Sequence, residues 1–474
     1  MSDIEKEFYY DIIVVGCGAA GLSAAVSALE QSKEEGKKIS LLLIDRSDMN
    51  RVGGNTRYTT ALMRMKSESE LADNFVEDFL KFSEGKTSPE YVKKLAQEAP
   101  ETLKWLKKYG VEFTKSEEMF IIKSRPRIRP KGGGIEIVDK LLLAAKSLGA
   151  EVFYETTAWK LSLDDEGNIN GIYLRGKDGI SVKVKTKAVV LACGGFEGNQ
   201  EMLSKYMGRE VYNFKPIAES IKYHRGECIN MAAEIGAKLS GDFTLLHVEP
   251  VDLRAPENFA EPYVMVFPFG VLVDINGERF IDEASSTPDE IYEEVTRKIM
   301  YLPKSMAWLI LSKDIVEKVP KFYDGLGYKA EPIIANTLKE LAEKCNLPID
   351  KLKETIERYN NSIVNNIEFD PSKLDGKGTK GITPPKSNWA VPIIPPFYAI
   401  PVGVGIVFTF GGLSTDLMGR VLSWDEVPIQ GLYAAGEITG VYYGKYPGAT
   451  SVLRSLIGGK ITGKSAYSFV IKLK

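Results

Sequence analysis

A glycine-rich turn near the start of the chain has the spacing of a phosphate-binding loop. Gly16, Gly18 and Gly21 stand in the string GCGAAG, with Ala19 and Ala20 between the last two. The first glycine permits a tight turn, the second lets the backbone approach a pyrophosphate, and the third lets a helix pack closely on a strand. The helix that follows would point its free amides and its positive dipole end at the phosphates. The turn therefore predicts a bound dinucleotide.

Apolar runs on both sides of this turn predict two parallel strands. Asp11–Val15 precedes the glycines directly, and Ile39–Ile44 follows after a predicted helix and a charged loop. Short apolar runs of this kind are typical of strands that are buried on both faces. Asp45 comes 24 residues after Gly21, near the spacing of about 20 at which an acid can hold ribose hydroxyls. We therefore expect Asp45 and its neighbour Arg46 in the cofactor site.

A second glycine-rich turn follows shortly after this acid. It consists of Gly53, Gly54, Asn55 and Thr56, ahead of a segment that is dense in Thr, Met and Arg. The first βαβ unit alone could hold either NAD or FAD, and NAD needs no such additional turn. We expect Asn55 and Thr56 to approach a flavin ring.

A distant segment near the C-terminus also favours FAD. The string GLYAAGE predicts a short strand that ends at Gly436 and Glu437, where a carboxylate could bind the ribityl chain. A helix predicted to begin near Ser451 and Val452 could point its amides at the pyrimidine edge of the flavin, where reduced flavin gathers negative charge. The cofactor predicted from the sequence is FAD.

Composition and charge exclude several other functions. The chain has 474 residues, 44% hydrophobic and 26% charged, which is ordinary for a globular protein of two or three domains. The net charge of −3 gives no reason to expect a nucleic acid or an anionic membrane as a partner. The N-terminal sequence has no basic head followed by an apolar run, so neither a signal peptide nor an integral membrane protein is expected.

The four cysteines stand far apart, at positions 17, 193, 228 and 345. Disulfide frameworks, zinc sites and iron–sulfur clusters all need paired or clustered cysteines. We therefore expect no metal site, and reduced thiols predict a cytoplasmic protein.

Together with three further strings, these motifs resemble the flavoprotein family of fumarate reductase, succinate dehydrogenase, L-aspartate oxidase and the 3-ketosteroid dehydrogenases. The further strings are KAVVLACGGF (187–196), GERFIDE (277–283) and FTFGG (408–412). Within the family the chain looks closest to the tricarballylate dehydrogenase branch, on GGNTRYTTALMRM (53–65), LHVE (246–249), FTFGG and YPGATSV (446–452). The resemblance covers nearly the whole chain.

The resemblance implies an α/β fold with two parts. A Rossmann-like FAD-binding domain of the glutathione reductase type would comprise residues 1–241 and 408–474, and a smaller α+β cap would comprise residues 242–407. Further cofactor contacts are implied at Ala158, Ala192, Gly194 and Gly195. Neither histidine of the chain stands where covalent flavin attachment would need it, so we expect FAD to be bound non-covalently.

Three catalytic candidates also come from the resemblance. Arg279 matches the arginine that fumarate reductases of this family use as the proton-transfer acid, while a hydride moves between a substrate carbon and flavin N5. Because arginine is normally locked in its protonated form, this role needs a shaped site. His247 matches a histidine near the cap entrance, although a lone histidine is as often a packing residue. Tyr446 resembles the tyrosine with which 3-ketosteroid dehydrogenases polarise a carbonyl group.

Two substrate positions depart from the fumarate reductases, which carry a histidine at the position of Phe408 and an arginine at that of Tyr446. Their loss makes fumarate and succinate doubtful substrates, and it makes this side of the pocket, with Thr409, more apolar. Substrate carboxylates could instead be met by Arg57 and Arg64, because a guanidinium binds a carboxylate through two hydrogen bonds.

A basic segment offers further carboxylate-binding groups. Arg125, Arg127 and Arg129 alternate along the chain, and a strand would place all three on one face. A solvent-exposed face is an equally good interpretation of this triplet.

Three functions remain open from the sequence. The first is an FAD-dependent dehydrogenase or reductase acting on a CH–CH bond of a polycarboxylate similar to tricarballylate. The second is the same chemistry on a 3-ketosteroid, with Tyr446 as the polarising group. The third is an electron-transfer subunit with a degenerate substrate site. Because the chain has no second dinucleotide motif and no haem-attachment motif, we expect a separate electron partner, either a protein or a quinone.

Overall fold

The computed structural model describes residues 8–116 and 126–473, and it confirms the predicted mixed α/β class. The strands are β1 (Phe8–Val15), β2 (Leu41–Ile44), β3 (Met65–Ser67), β4 (Glu70–Leu71), β5 (Phe113–Lys115), β6 (Ile128–Pro130), β7 (Glu151–Phe153), β8 (Thr157–Leu163), β9 (Ile169–Arg175), β10 (Ser181–Leu191), β11 (Lys215–Pro216), β12 (Leu239–Ser240), β13 (Leu246–Asp252), β14 (Val271–Val273), β15 (Met306–Ser312), β16 (Ile333–Ala335), β17 (Phe397–Thr409), β18 (Gly412–Leu413), β19 (Arg420–Leu422) and β20 (Pro428–Ala434). The helices are α1 (Ala19–Glu35), α2 (Phe75–Phe82), α3 (Pro89–Lys108), α4 (Gly134–Ser147), α5 (Gln200–Met207), α6 (Glu227–Glu234), α7 (Pro288–Met300), α8 (Lys313–Lys318), α9 (Leu338–Cys345), α10 (Ile349–Asn361) and α11 (Ser451–Lys472).

Strand β1 lies at the centre of the larger sheet because its apolar side chains are buried on both faces. It pairs in parallel with β10 on one side and with β2 on the other, and the sheet order is β19-β20-β10-β1-β2-β7. Val15 lies opposite both Leu191 and Ile44. Leu191 in turn lies opposite Ala434 in β20. The carboxyl ends of four parallel strands therefore meet at one edge, where open α/β sheets bind their ligands.

A second sheet of six strands is built around β17, which pairs antiparallel with β13, β15 and β16 and parallel with β11. Most of its strands lie within residues 242–407, the predicted cap. However, β17 continues to Thr409, and β11 comes from residues 215–216. The domain limits at 241 and 408 stay a prediction.

Helices α1 and α11 pack in close contact, and glycines of α11 set the distance between them. A Cβ atom added to Gly459 would lie 2.1 Å from the carbonyl oxygen of Ala20, and one added to Gly463 would lie 2.1 Å from that of Ala24. Only glycine allows the two backbones to approach so closely.

Although α11 has 22 residues, no helix within residues 8–116 and 126–473 is both long and apolar enough to cross a membrane.

We expect Gly463→Val to lower the stability of the protein by about 3 kcal/mol, because overpacking of a close contact forces the backbones apart. The measurement is the thermal unfolding midpoint at a fixed scan rate. Gly458→Ala is the matched control, since its added methyl group would have only one neighbour within 4 Å, at 3.9 Å. Equal midpoints for the valine variant and the wild type would contradict the role given to this contact.

Candidate active site

A cavity of about 680 Å³ opens at the carboxyl edge of the larger sheet and extends to the second sheet. Most of the predicted cofactor residues line it: Gly16, Gly18, Ala19, Ala20, Asp45, Arg46, Gly54, Asn55, Thr56, Ala158, Ala192, Gly194, Gly436, Glu437, Ser451 and Val452. Three others, Gly21, Gly53 and Gly195, lie behind this wall and shape it.

The first glycine turn is shaped as its spacing predicts. Gly16 has a φ of 105°, and a Cβ atom there would lie 2.4 Å from the carbonyl oxygen of Ala192. A Cβ atom on Gly21 would lie 1.9 Å from the carbonyl oxygen of Gly16. Gly18 differs, since its added Cβ would find its nearest neighbours only at 3.6 Å, on the side of the cavity. The turn thus leaves room for a phosphate at Gly18, where α1 begins.

Asp45 stabilises this turn from the end of β2. Its carboxylate accepts hydrogen bonds from the amide of Cys17 at 2.9 Å and from the amide and hydroxyl of Ser47 at 2.9 and 2.6 Å. Arg46 forms an ion pair with Glu227 at 2.9 Å. Both side chains line the cavity, so they border the space expected for the adenosine half of FAD.

A buried cluster of Glu197, His224 and Glu437 borders the ribityl position and was not predicted as a group. The ligand-type atoms of the three side chains lie within 4.8 Å of one another. His224 Nδ1 contacts Glu197, and Asn55 donates to the same carboxylate at 2.9 Å. The other oxygen of Glu197 has no hydrogen-bond partner among the described residues.

Burial controls protonation in this cluster. It raises the pKa of Glu197 to about 7, and together with Glu197 it raises that of Glu437 well above its ordinary value. Burial lowers the pKa of His224. Because His224 and Glu437 line the cavity beside Gly194 and Gly436, we assign the cluster to the cofactor wall. Glu197 directly follows the string CGGF, and this position was the available sequence signal.

Gly195 explains how Glu437 is held. A Cβ atom on this glycine would lie 2.2 Å from Glu437 Oε1 and 2.1 Å from the hydroxyl of Thr409. Glu437 accepts a hydrogen bond from the amide of Thr409 at 3.0 Å. Thr409 therefore positions a cofactor residue and does not line the cavity, which corrects its predicted role in substrate binding.

An aromatic wall lies at the other end of the cavity. The ring of His247 is 4.5 Å from that of Tyr446 and 5.0 Å from that of Phe408 between centroids, and Phe408 meets Tyr446 edge-on at 5.0 Å. All three side chains line the cavity. The sequence placed these residues near the substrate, and the structure brings them together.

The phenol of Tyr446 contacts the N-terminus of α11. It accepts hydrogen bonds from the amides of Thr450 and Ser451 at 3.0 Å each and donates to the hydroxyl of Ser451 at 2.9 Å. These are the amides that the sequence assigned to the flavin. A flavin carbonyl oxygen at that helix end would share or replace this phenol.

His247 is buried among groups that the sequence did not single out. Tyr292 Oη lies 3.4 Å from its Nε2, Glu249 lies 3.6 Å from the same atom, and Glu293 lies 4.0 Å from Nδ1. Burial alone would lower the pKa of His247, but the two carboxylates outweigh it and raise the pKa. Glu249 stands two residues from His247 in the string LHVE, which was a usable signal.

Two arginines of the basic segment line the cavity. The guanidinium of Arg127 lies 3.4 Å from Asp289, and the Nε atoms of Arg127 and Arg129 are buried without a hydrogen-bond partner among the described residues. Arg125 lies outside the described residues. The two placed arginines are not on a solvent-exposed face, and they can bind an anion.

Arg279 is not among the residues lining the cavity. Its Nε and Nη2 atoms donate to Glu283 at 3.0 and 2.7 Å, Nη1 donates to the carbonyl of Pro384 at 3.0 Å, and the guanidinium lies over the ring of Tyr359. Burial alone would lower the pKa of Arg279, but Glu283 raises it. This geometry gives no support to the predicted proton-transfer role, because Glu283, the fourth residue after Arg279 in the GERFIDE string, holds its guanidinium.

The other two predicted substrate arginines also lie outside the cavity lining. Arg64 is fully buried and donates to Asp78 at 2.9 Å. Arg57 is half-buried and lies 3.5 Å from Asp139. Each has a carboxylate partner within the protein, so this geometry gives no support to the predicted contact with substrate, which stays a prediction.

Glu261 is a further acid in the cavity that the sequence missed. Its carboxyl accepts a weak hydrogen bond from the amide of Thr60 at 3.3 Å. Burial and the nearby Glu249 raise its pKa to about 7. No motif in the sequence marks this residue.

The chain is similar to known FAD-binding proteins and reductases. A family profile described as an FAD binding domain matches residues 11–453. An NADH:fumarate oxidoreductase from Klebsiella pneumoniae is 27% identical over 470 residues, covering 96% of this chain and 47% of that protein. A vinyl phenol reductase from Lactiplantibacillus plantarum is 27% identical over 509 residues, covering 98% of both proteins. The chain therefore spans less than half of the first relative but nearly all of the second.

A solved structure shows the same fold. The open conformation of a flavocytochrome c3 fumarate reductase superposes with a TM-score of 0.78 at 25% identity. The match covers 98% of this chain and 79% of that one. This similarity agrees with the α/β architecture.

We expect Gly18→Ala to fold normally but to bind FAD at least about tenfold more weakly. The added methyl group would make only ordinary van der Waals contacts within the protein, at 3.6 Å, but it occupies the space expected for a phosphate. The measurements are the unfolding midpoint of the flavin-free protein and the dissociation constant from flavin fluorescence. Gly458→Ala again serves as the control, and undiminished FAD affinity in Gly18→Ala would contradict this placement of the pyrophosphate.

We expect Glu261→Gln to stabilise the FAD-loaded protein at pH 8 more than at pH 5. In the unfolded chain this carboxyl ionises near its ordinary pKa of 4.5, but in the folded protein it keeps its proton to about pH 7. Stability of the wild type therefore falls between these pH values, by up to about 3 kcal/mol. The glutamine variant lacks this loss.

The check for Glu261 is the difference in unfolding midpoint between variant and wild type at the two pH values. The exposed Glu257 provides a control substitution, Glu257→Gln, for which the difference should be the same at both pH values. An unchanged difference in Glu261→Gln would show that this carboxyl is ionised in the folded protein.

Proposed function

The chain belongs to the FAD binding domain family, so its cofactor is FAD, and we propose that it is an oxidoreductase that acts on a carbon–carbon bond of a carboxylate-bearing substrate. Bound FAD supplies the hydride acceptor or donor for this chemistry. The protein's own residues bind the substrate, hold it against the flavin and move the proton. The observation that carries the proposal is the placement of Arg127 and Arg129 in the same cavity as the aromatic wall.

The two arginines suit a carboxylate because a guanidinium offers paired donors in one plane. Asp289 lies 3.4 Å from Arg127 and holds its orientation from the first turn of α7. Phe408, Tyr446 and His247 provide an aromatic wall against which the unsaturated part of a substrate can lie. The cavity therefore has an anion-binding end and an apolar end.

The relatives support this reaction class. Their names refer to fumarate and to a vinyl phenol as reduced compounds, and both contain a carbon–carbon double bond conjugated to a polar or aromatic group. For this chain, a polycarboxylate similar to tricarballylate remains the first substrate to test, since two arginines can meet two carboxylates. Glu249, Glu261 and Asp289 border the same space, so we do not expect a third carboxylate to be bound tightly.

The two alternative functions receive less support from the geometry. Polarising a ketosteroid carbonyl would need the O–H group of Tyr446, but that group donates to Ser451. A degenerate subunit would not need a cavity with arginines and an acid–base cluster facing the cofactor wall. We also propose a separate electron partner, a protein or a quinone, because the sequence carries no second dinucleotide motif.

A screen of purified protein tests the reaction class. We expect the reduced enzyme, with viologen as electron donor, to be reoxidised by fumarate, acrylate or urocanate, whereas reoxidation by 4-vinylphenol alone would contradict the need for a carboxylate. In the opposite direction, tricarballylate or succinate should bleach the oxidised flavin absorbance. Bleaching by a 3-ketosteroid alone would favour the hypothesis of a 3-ketosteroid substrate. No response to any compound by the fully FAD-loaded enzyme would overturn the proposal.

We expect Arg127→Gln to raise the KM for the carboxylate substrate found in this screen by about 10- to 100-fold. A charge-assisted hydrogen bond contributes about 1.5–3 kcal/mol, and the substitution removes it without changing the cofactor wall. Steady-state kinetics and the flavin spectrum are the measurements. Arg57→Gln, outside the cavity lining, should keep the wild-type KM, and a similar KM in both variants would contradict the role of Arg127.

A further inference from the structure

Among the tyrosines that line the cavity, Tyr292 is nearest in the sequence to Asp289, at the proposed carboxylate-binding end. It lies three residues after Asp289 on α7, so the two side chains project from the same face of the helix. Both line the cavity, and Asp289 holds Arg127. A substrate carboxylate on Arg127 therefore brings its neighbouring carbon to the turn of α7 that carries Tyr292.

His247 lies directly behind this phenol. Its Nε2 atom is 3.4 Å from Tyr292 Oη, and the two rings meet edge-on at 5.7 Å between centroids. The imidazole is 3% exposed. Tyr292 and His247 thus form a short hydrogen-bonded chain that begins at the cavity and leads to buried carboxylates.

Charged and titratable groups face His247 from every packed element. Glu249 lies on its own strand, Glu293 and Tyr292 on α7, and Tyr446 beside α11. Arg297 holds Glu293 through a 2.7 Å ion pair and donates to the backbone of β13. Arg297 compensates the charge of Glu293, and the charge of Glu249 remains. The surroundings of His247 therefore favour its protonated form, the imidazolium.

The protonation states agree with this geometry. The pKa of His247 is raised by Glu249 and Glu293 against the effect of burial. Burial and the same two carboxylates raise the pKa of Tyr292 well above its ordinary value. Tyr292 therefore carries its proton at neutral pH, and His247 gains one more readily than a free histidine.

We propose that Tyr292 is the catalytic proton donor and that His247 replaces the proton Tyr292 gives up. This inference rests on the proposed reduction of a carbon–carbon double bond conjugated to a carboxylate. As the two-electron hydride of the reduced flavin bonds to the β-carbon, the π electrons move to the α-carbon, beside the carboxylate. The α-carbon accepts the proton of Tyr292 Oη. The resulting phenolate then takes a proton from His247, and solvent protonates the imidazole again. In the reverse, oxidising direction, the same groups accept the proton.

This assignment explains how the site works without Arg279. That arginine is bound to Glu283 and Pro384 away from the cavity, whereas Tyr292 and His247 both face it. The position also suits the chemistry, because the proton must arrive at the carbon next to the carboxylate that Arg127 holds.

A nitroalkene separates the two steps, because hydride transfer to it leaves a nitronate anion that persists in solution. The probe is 3-nitroacrylate, whose nitro group directs the hydride to the carbon that bears the carboxylate and leaves the nitronate on the other alkene carbon. The nitro group therefore takes the place of the substrate carboxylate at Arg127, so that the nitronate carbon faces Tyr292. The compound is added to viologen-reduced FAD-loaded enzyme in a stopped-flow instrument. For the wild type we expect flavin reoxidation without visible nitronate. For Tyr292→Phe we expect reoxidation within a few-fold of the wild-type rate, a nitronate band in the near ultraviolet, and protonation slowed by at least about 100-fold.

The matched control is Tyr359→Phe, which removes a buried phenol from the ring stacked on Arg279 outside the cavity lining. It should behave as the wild type. Protonation at the wild-type rate in Tyr292→Phe, with no nitronate band, would overturn the assignment. If the wild-type flavin is not reoxidised by 3-nitroacrylate or by any alkene of the screen, the proposed function itself fails.

The pH profile tests the contribution of His247. Turnover of the wild type with the alkene from the screen should fall as the pH rises through the raised pKa of His247, since the relay then lacks its proton. His247→Gln should keep the flavin spectrum and the rate of hydride transfer but lose this alkaline decline, with turnover low at every pH. A variant with an unchanged alkaline limb would exclude His247 from the relay.

Discussion

The close passage of Gly16 against the carbonyl of Ala192 is the constraint on which the site depends. It is possible only because β1 and β10 pair in parallel and end at the same level. The same register brings the ends of β2 and β20 to this edge. Asp45, the glycine turns at Gly16 and Gly54, and the small residues that follow β20 therefore border the same cavity. Any residue larger than glycine at position 16 would separate the turn from β10 and open this wall.

The two helices that face the cofactor inherit their positions from a second close contact. Gly459 and Gly463 let α11 approach the backbone of α1, so the part of α11 that lies beside the start of α1 is about two turns inside α11. Each helix has a positive dipole end at its start, where the first amides donate to side-chain oxygens, of Thr56 for α1 and of Tyr446 for α11. The far N-terminal and C-terminal parts of the sequence thus contribute to one anion-binding surface.

Away from the expected phosphate position, burial of acidic side chains sets the pKa values of the groups in the cavity. Glu197, Glu437 and Glu261 all have raised pKa values because the interior disfavours their charge. Around His247 the balance is different, since Glu249 and Glu293 raise its pKa in spite of burial. Burial and neighbouring charges therefore favour the protonated forms of these carboxyl groups and of the His247 imidazole, near the position where the reaction would need protons. This arrangement is typical of sites that carry out acid–base chemistry.

The sequence by itself determined the parts of the protein that depend on local backbone geometry. The turn at Gly16–Gly21, the strand end at Glu437 and the helix start at Ser451 could be predicted because glycine spacing and apolar periodicity express local conformation directly. Only the tertiary structure decided which side chains face the cavity. Arg279 has the right residue type in a suggestive motif, yet Glu283, four residues later, captures it, whereas Tyr292 has no motif but projects into the cavity from α7. The partner of Arg279 is close in the sequence, but which elements border the cavity depends on contacts between segments far apart in the chain, and residue spacing carries no information about those contacts.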